Sequence, residues 1–107
     1  MKLSSYLSIP YVLETVVFET DSGSWVRRFS YPELPNCVVE ADDVVDAIDE
    51  LDRRRILVIV DMLRAGIKPP IPRKPVGIDP VWALDRAGLR DRLSAILCKD
   101  EDELRVS

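Results

Sequence analysis

The side chains of this sequence best suited to chemistry are carboxylates, which crowd one short stretch. Seven acidic residues lie between positions 40 and 52, namely Glu40, Asp42, Asp43, Asp46, Asp49, Glu50 and Asp52. Carboxylates alone can support metal-dependent hydrolysis when they converge on metal ions about 4 Å apart. These seven instead have the spacing of a helix start and its polar face, where they complement the positive end of the helix dipole. We therefore predict a solvated helix face, with no metal site and no catalytic carboxylate.

Other catalytic constellations are missing from the sequence. It contains no histidine, which excludes Ser-His-Asp and Cys-His nucleophile systems and every zinc site that needs a histidine ligand. Cys37 and Cys98 are too far apart in sequence to form a Cys-x-x-Cys pair, and no glycine-rich phosphate-binding motif occurs among the four glycines. The sequence therefore predicts a protein that is not an enzyme and has no catalytic residues, metal or cofactor.

Length and composition are those of one globular domain. A chain of 107 residues has room for one modest core, and 47% hydrophobic with 32% charged residues is ordinary for a folded protein. The longest apolar run, "ILVIV" at 56–60, is far shorter than the ~20 residues of a membrane span. The two cysteines are typical of buried free thiols in a reducing compartment. We expect a cytoplasmic protein without a membrane segment.

The net charge of −4 is unevenly divided along the chain. Residues 1–52 hold eleven acids and three bases, a charge of −8, whereas residues 53–107 hold eight acids and twelve bases, a charge of +4. An acidic half suits a basic partner, and proteins that bind nucleic acid are one such class. The alternative interpretation is that the acids only solvate a helix face.

The first part of the chain has the period-two pattern of a β-sheet. β-Branched and aromatic residues predict strands over 11–20, 25–31 and 37–40. The stretch "DSGS" between the first two predicts a hairpin turn around a glycine. An additional edge strand is predicted over residues 73–78, where Pro75 is tolerable.

A long helix follows the third strand, because the apolar spacing changes to about 3.6 residues. Asp43 is a suitable N-cap, and Asp46 can answer it in a weak capping box. Gly66 and the following "KPPIPRKP" end the helix, which therefore spans residues 43–65. A strand through "RILVIV" is the alternative from composition, and the periodicity on both sides of it favours one uninterrupted helix.

This helix is apolar on two sides. Ile56, Leu57 and Val60 lie on the side opposite Leu51, and a helix with two apolar sides is usually covered on both. We expect the sheet to cover one side and a second copy of the chain to cover the other. The predicted interface of a homo-oligomer, a dimer or a higher assembly, is therefore Ile56, Leu57 and Val60.

The remaining sequence predicts a helical segment, so that residues 1–76 form an α+β domain and residues 77–107 a C-terminal unit. Asp79 is a suitable N-cap, with Pro80 as the first residue, for one amphipathic helix that Gly88 weakens. The final stretch, "KDEDELRVS", predicts a charged and frayed tail.

The most distinctive stretch is the loop "YPELPN" that follows the second predicted strand. Pro32 and Pro35 fix φ at two positions and push Tyr31 and Leu34 toward extended conformations. The loop is therefore expected to be stiff before it meets a partner, which lowers the cost of ordering a docking surface. Leu34 is either displayed or plugs the core, and Asn36 tolerates a positive φ after the second proline.

The order of these features resembles the HicB family of antitoxins. Members of that family carry an aromatic-Pro-acidic-Leu-Pro-Gly-Cys loop, a short strand, an acidic helix start, and a helix end followed by a Pro-Ile-Pro segment. The resemblance covers residues 11–76, with Asn36 in place of the usual Gly and Asp43 in place of the usual Thr or Ser. The matching residues are Tyr31, Pro32, Glu33, Leu34, Pro35, Cys37, Asp42, Asp46, Ala47, Gly66, Pro70, Ile71 and Pro72.

The resemblance implies an α+β fold of β-β-β-α-β order, an antiparallel sheet packed on one long helix as a degenerate ribonuclease-H-like domain without catalytic residues. It also implies a partner, a small basic HicA-type toxin that cleaves mRNA and whose active surface the antitoxin masks, and assembly into dimers or higher oligomers. The toxin-binding candidates are the stiff loop and the acids at the helix start: Tyr31, Pro32, Glu33, Leu34, Pro35, Asn36, Asp42 and Asp43.

Three alternative functions stay open. A DNA-binding transcriptional repressor would use residues 53–99, which hold eleven bases against four acids, and would lose affinity steeply as salt rises. Family members often carry a C-terminal DNA-binding module for operon autoregulation, whereas residues 77–107 contain no clear second recognition helix. An orphan HicB-like scaffold or immunity protein would have another target. A carboxylate nuclease would need Mg²⁺ or Mn²⁺ and would lose activity when Asp42 and Asp43 are both changed to Asn.

Overall fold

The computed structural model describes residues 1–77 and 80–106 and has an α+β fold. Its strands are β1 (Glu14–Glu19), β2 (Trp25–Ser30) and β3 (Val38–Ala41). Its helices are α1 (Leu3–Leu7), α2 (Val44–Arg64), α3 (Val81–Ala87), α4 (Arg90–Leu93) and α5 (Glu101–Leu104), with a 3-10 turn at Ser94–Ile96. In the described part of the chain, no helix is long and apolar enough to cross a membrane.

The three strands form an antiparallel meander in the order β1-β2-β3. Gly23, at φ 83°, supplies the left-handed conformation in the first turn, where its N–H donates to the Thr20 carbonyl at 2.9 Å. Phe29 of β2 lies opposite Thr15 on one side and Val39 on the other. Phe29 and Val39 are buried where α2 packs on β2 and β3. The predicted hairpin and the three strands are confirmed.

The additional strand predicted over residues 73–78 is not formed in the described residues. Residues 73–77 have no regular structure, and Ile78 lies outside the described ranges. Val76 donates its N–H to the Ser8 carbonyl at 3.1 Å, and Pro75 has no N–H to add to a ladder. The expected β-β-β-α-β order is therefore wrong over 73–77, and the sheet has three strands in the described chain.

Helix α2 begins and ends where the sequence predicts. The Asp43 side chain accepts a hydrogen bond from the Asp46 N–H at 3.0 Å, which satisfies one of the free donors of the first turn. Gly66 takes φ 75° after the last turn, and its N–H donates to the Leu63 carbonyl at 3.1 Å. The alternative strand is excluded, because residues 55–60 are all helical.

The second apolar side of α2 is covered by the chain itself. Ile56 and Val60 are 0% and 2% exposed within one chain, and Leu57 is half-buried. Helices α1, α3 and α5 all pack on α2, which is the physical reason why these side chains need no second copy. Contrary to the prediction, Ile56 and Val60 are therefore not displayed for an oligomer interface.

Part of this cover is formed by the two ends of the chain, residues 1–9 and 99–106, which we name the terminal clasp. The Glu101 N–H donates to the Met1 carbonyl at 2.9 Å. Tyr6, which is fully buried in α1, donates its hydroxyl proton to Glu101 Oε2 at 2.9 Å. The Met1 α-amino group donates to the other carboxylate oxygen at 2.8 Å. One carboxylate thus joins both ends of the chain.

The acidic tail is ordered rather than frayed, so the prediction for it is wrong. Asp100 and Glu103 form a capping box that starts α5. Leu104 is buried, and the Val106 N–H donates to the Arg64 carbonyl at 2.8 Å. The tail therefore docks on the end of α2 through one apolar side chain and one backbone hydrogen bond.

The single C-terminal helix of the prediction is broken at Gly88. This glycine takes φ 68° and ends α3, and α4 begins after Leu89. Pro80 immediately precedes α3, whereas Asp79, the predicted N-cap, lies outside the described residues. The chain consequently changes direction after α3, which packs on α2, instead of continuing as one helix.

We predict that Leu104→Ala lowers the free energy of unfolding by about 2–4 kcal/mol, the usual cost of truncating a buried leucine. Leu104 is 7% exposed, and the neighbouring Val106 is 70% exposed, so Val106→Ala is the matched control. Urea denaturation followed by circular dichroism measures both. Equal stability of the two variants would mean that the tail is frayed, as the sequence pattern alone suggests.

We also predict that Glu101→Gln destabilises the protein near neutral pH, and that this cost shrinks as the pH falls. Hydrogen bonds from the Met1 α-amino group and then from the Tyr6 hydroxyl hold the pKa of Glu101 below its ordinary 4.5. A carboxyl whose pKa is lowered on folding stabilises the fold above its unfolded pKa, and this contribution is lost as the pH falls through the folded pKa.

Urea denaturation of wild type and Glu101→Gln at neutral pH and at about pH 3 checks this direction. The other carboxyls are common to both proteins, so they cancel in the difference between the two free energies of unfolding. Asp102→Asn is the control, since Asp102 is exposed and lies next to Glu101 in the same helix. A Glu101→Gln cost that is equal at both pH values contradicts the assignment.

Candidate binding surface

The loop between β2 and β3, residues 31–37, is held in one conformation by its own backbone. The Tyr31 N–H donates to the Cys37 carbonyl at 3.0 Å, and the Leu34 N–H donates to the Tyr31 carbonyl at 3.0 Å. Asn36 has φ 55°, in the left-handed region that asparagine tolerates better than most residues. Leu34 is buried, so it plugs the core and is not displayed. We name this segment the proline loop.

Tyr31 fastens the proline loop to α2. Its hydroxyl donates to Asp52 Oδ1 at 2.7 Å, and its ring meets the Tyr11 ring edge-on with 6.5 Å between centroids. Burial and the hydrogen bond to the Asp52 carboxylate raise the pKa of Tyr31 above its ordinary value. The phenol therefore stays protonated and acts as a donor throughout the physiological range.

Glu33 fastens the same loop to the segment before β1 and to the segment after α2. Its Oε1 accepts hydrogen bonds from the Val12 N–H at 2.8 Å and from Arg73 Nη1 at 3.0 Å. The Val12 N–H first, and then the Arg73 guanidinium, hold the pKa of Glu33 below its ordinary value. Arg73 Nη1 also donates to the Pro10 carbonyl at 3.2 Å. The loop is therefore tied to three separate parts of the chain.

The eight predicted toxin-binding residues divide into two groups. In the first group the side chain is buried or engaged within the fold, and its members are Tyr31, Glu33, Leu34 and Asp43. In the second group the residue is exposed, and its members are Pro32, Pro35, Asn36 and Asp42. Residue type and order identified the segment, but they did not reveal which side chains the fold would use internally.

The exposed candidates lie at opposite ends of β3. The proline loop enters this strand at Cys37, and Asp42 follows its last residue, Ala41. Five residues of extended chain span roughly 17 Å. A single partner that touches both ends must therefore cover the whole length of β3.

Asp42 lies beside a hollow of about 450 Å³ that the sequence does not reveal. The other residues around it are Val17 of β1 and the β2 residues Trp25 and Arg27. Trp25 is 65% exposed, so an indole face and a carboxylate are available side by side. The hollow therefore offers a partner an indole face together with one carboxylate and one guanidinium, that of Arg27.

Most carboxylates of the acidic stretch are paired within the fold. The pairs and their shortest N···O distances are Glu40 with Arg28 at 2.8 Å, Asp49 with Arg86 at 3.0 Å, Glu50 with Arg54 at 3.4 Å, and Asp52 with Arg55 at 3.6 Å. Across residues 1–77 and 80–106, Asp42 and Asp46 form no ion pair. The negative electrostatic field that this stretch presents to a partner therefore comes mainly from Asp42 and Asp46.

Side chains able to hold a metal ion do not cluster in the described ranges, where no group of three or more His, Cys, Asp or Glu residues has the required arrangement. Both cysteines are free thiols. Cys37 is buried with its Sγ 4.0 Å from the Leu51 carbonyl, whereas Cys98 is exposed, contrary to the expectation of two buried thiols.

A second feature that the sequence does not reveal is an apolar groove of about 280 Å³ between α2 and α3. Trp82 is 67% exposed at its rim. The Arg86 guanidinium lies 5.5 Å from the centre of the Trp82 ring and also pairs with Asp49. The apolar side chains of the groove are Val44, Val45, Ile48, Ala83 and Ala87.

Comparison with protein-family models, with curated proteins and with solved structures gives no match for this chain.

We predict that Asn36→Ala lowers the free energy of unfolding by about 1 kcal/mol, while Asn36→Gly leaves it unchanged or slightly raised. The reason is the φ of 55° at this position, which costs an alanine about 1–2 kcal/mol and a glycine nothing. Thermal and urea denaturation of the two variants check the difference. Equal stability of the Ala and Gly variants would show that the loop does not hold this conformation in solution.

Proposed function

We propose that this chain is a HicB-like antitoxin that binds and masks a small basic HicA-type toxin that cleaves mRNA, in the cytoplasm. The observation that carries the proposal is the proline loop, which is fixed before any partner arrives. Two internal backbone bonds, the Tyr31–Asp52 hydrogen bond and the two bonds to Glu33 hold it. Because a preformed loop loses little conformational freedom on docking, more of the contact energy becomes affinity.

The proposed relation to a degenerate ribonuclease-H-like domain is supported by element order. The meander β1-β2-β3 followed by α2 has the β-β-β-α order that the HicB resemblance implies. The last strand of that pattern is missing over 73–77. Those residues instead place Arg73 against the proline loop, where it binds Glu33. In this proposal the Pro-rich segment therefore supports the binding loop.

The surface proposed for the toxin runs along β3, from the exposed residues Pro32, Pro35 and Asn36 at one end to Asp42 at the other. A basic toxin would be attracted by Asp42, which precedes the N-cap of α2, and by Asp46 in its first turn, neither of which has an ion pair in the described chain. Long-range attraction between opposite charges accelerates association more than it strengthens the final complex.

The alternative of a DNA-binding repressor is less well supported, because several bases of residues 53–99 hold the fold together. Arg54 and Arg55 donate to the Val38 and Leu7 carbonyls at 2.7 Å and 3.0 Å. Arg73, Arg86 and Arg90 are paired with carboxylates. An orphan scaffold or immunity protein with another target is distinguished from an antitoxin by the gene beside it.

The proposal predicts that coexpression with the small basic protein encoded beside this chain relieves its toxicity and gives a complex that copurifies. Asp42→Lys should then slow association roughly tenfold at low salt, with a smaller effect at high salt, because one attractive charge becomes repulsive. Stopped-flow or surface plasmon resonance measures the rates.

Asp61→Lys is the matched control, since Asp61 is an exposed acid on the same helix, near its far end. Equal slowing by both variants would show that overall charge, and not the surface along β3, guides the partner. Absence of a complex and of any relief of toxicity with the wild-type chain would refute the antitoxin function.

A further inference from the structure

Strand β1 forms an open edge of the sheet. It pairs with β2 on one side, and no other strand of the described chain lies on its other side. The Thr20 N–H donates to the Ser24 carbonyl at 2.8 Å, which fixes the direction of the backbone groups at the end of the hairpin. Because these groups alternate along a strand, the N–H and C=O groups of Thr15, Val17 and Glu19 point away from the sheet.

The two edges of the sheet are treated differently by the sequence. At the β3 edge, Arg54 Nη1 donates to the Val38 carbonyl at 2.7 Å and so occupies part of the backbone. Strand β1, "ETVVFE", contains no lysine and no proline, which are the residues that usually discourage an edge from pairing with another chain. Its register with β2 also runs without a bulge. The central residues of the β1 edge, Thr15 to Phe18, therefore carry no charge or proline that would discourage an added strand, while Glu14 and Glu19 flank them.

The side chains of β1 are apolar on both faces of this edge. Val16 and Val17 are 42% and 54% exposed, although they point to opposite sides. Phe18 follows Val16 on the face opposite Phe29, which is the face that α2 does not cover. Valine and phenylalanine at an open edge are stabilised by cross-strand partners of the same kind.

We propose that a second copy of this chain pairs with this edge, β1 against β1 in antiparallel orientation, about a two-fold axis at Val17. Val17 then lies opposite Val17 of the second copy, Val16 opposite Phe18, and Thr15 opposite Glu19. The outward-pointing groups of Thr15, Val17 and Glu19 all find partners, in three pairs that exchange two hydrogen bonds each.

The charges of β1 select this register. A two-fold axis normal to the sheet keeps each side chain on its own face. Because opposite residues must lie on the same face, the axis has to pass through a residue of β1 and not between two residues. An axis at Val16 would place Glu14 opposite Phe18, and an axis at Phe18 would place Val17 opposite Glu19. With the axis at Val17, apolar residues meet apolar residues, and each glutamate meets a threonine, Glu14 with Thr20 and Glu19 with Thr15.

The proposed dimer has one continuous six-stranded sheet with both copies of α2 on the same face. The proline loop and β3 lie at the outer edges of that sheet, away from the β1–β1 seam. Pro32, Pro35, Asn36 and Asp42 lie outside the seam, although Val17 at the axis also lines the hollow beside Asp42. The dimer does not depend on the antitoxin function. In this proposal the β1 edge, and not the helix surface at Ile56 and Val60, is the site of self-association.

The test is the mass of the purified chain in solution across a concentration series, by light scattering after size exclusion or by sedimentation. We expect wild type to approach twice the 12.2 kDa monomer mass as concentration rises. Val17→Lys should remain a monomer throughout, because it places two ammonium groups together at the axis. Val45→Lys is the matched control and should dimerise as wild type does, since Val45 is 63% exposed on α2, outside the sheet.

Cross-linking reports the register separately. Val17→Cys, made together with Cys98→Ser to remove the exposed thiol, should form a disulfide between copies, because paired residues at the axis have Cα atoms about 5.5 Å apart. Val16→Cys in the same background should not form a disulfide. Val16 lies opposite Phe18 of the second copy, so the two Val16 positions are offset by two residues along the seam.

Three results would overturn the proposal. The first is a wild-type chain that stays monomeric at every concentration, and the second is a Val17→Lys variant that still dimerises. The third is a Val16→Cys protein that cross-links better than Val17→Cys, which would place the axis elsewhere. Val17 is exposed in the monomer, so circular dichroism and thermal denaturation of Val17→Lys should match those of Val45→Lys.

Discussion

The structure depends on one constraint, which is that the long helix α2 is apolar on two sides and both must be removed from water. The sheet covers one side, where Phe29 and Val39 are buried and α2 packs on β2 and β3. The other side holds Ile56 and Val60, and α3 together with the two ends of the chain packs on α2. Removing that side from water stabilises the fold by roughly 25 cal/mol per Å² of apolar surface.

Meeting this constraint within one chain decides which surfaces are left for partners. The termini are occupied by the clasp, and the face of α2 toward them is closed. The features left on the outside include the proline loop, the exposed acids at the start of α2, the groove beside Trp82 and the open edge of β1. The proposed toxin surface and the proposed dimer seam lie on opposite edges of one sheet, and they approach each other at the hollow that Asp42 and Val17 share.

Local signals in the sequence were sufficient for the elements that are stabilised locally. The cap at Asp43, the glycine at Gly66 and the turn at Gly23 each act through neighbouring backbone groups, so the hairpin and α2 could be predicted with nearly correct ends. The stiffness of the proline loop also followed from its two prolines. The sequence could not show that Tyr31 and Glu33 would hold that loop, because their partners Asp52 and Arg73 are far away in sequence.

The errors concern elements that exist only because of distant contacts. Helix α1 has five residues, too few to be stable alone, and it is formed because Tyr6 and its neighbours are buried against the rest of the chain. The same holds for α5, whose charged sequence predicts a frayed tail until Leu104 is seen to be buried. The two apolar sides of α2 correctly predicted that both sides of the helix are buried. The spacing of apolar residues alone could not show whether a second copy or other parts of the same chain bury the second side.

Hydrogen exchange of the isolated chain, resolved by peptide, reports whether the ends of the chain are held as firmly as α2. We predict that the amides of α1 and α5 exchange as slowly as those of the second half of α2, because all three are released only when the whole core opens. Rapid exchange of residues 1–9 and 99–106, while α2 stays protected, would contradict it. In that case something other than the ends of the chain would have to cover the second side of α2.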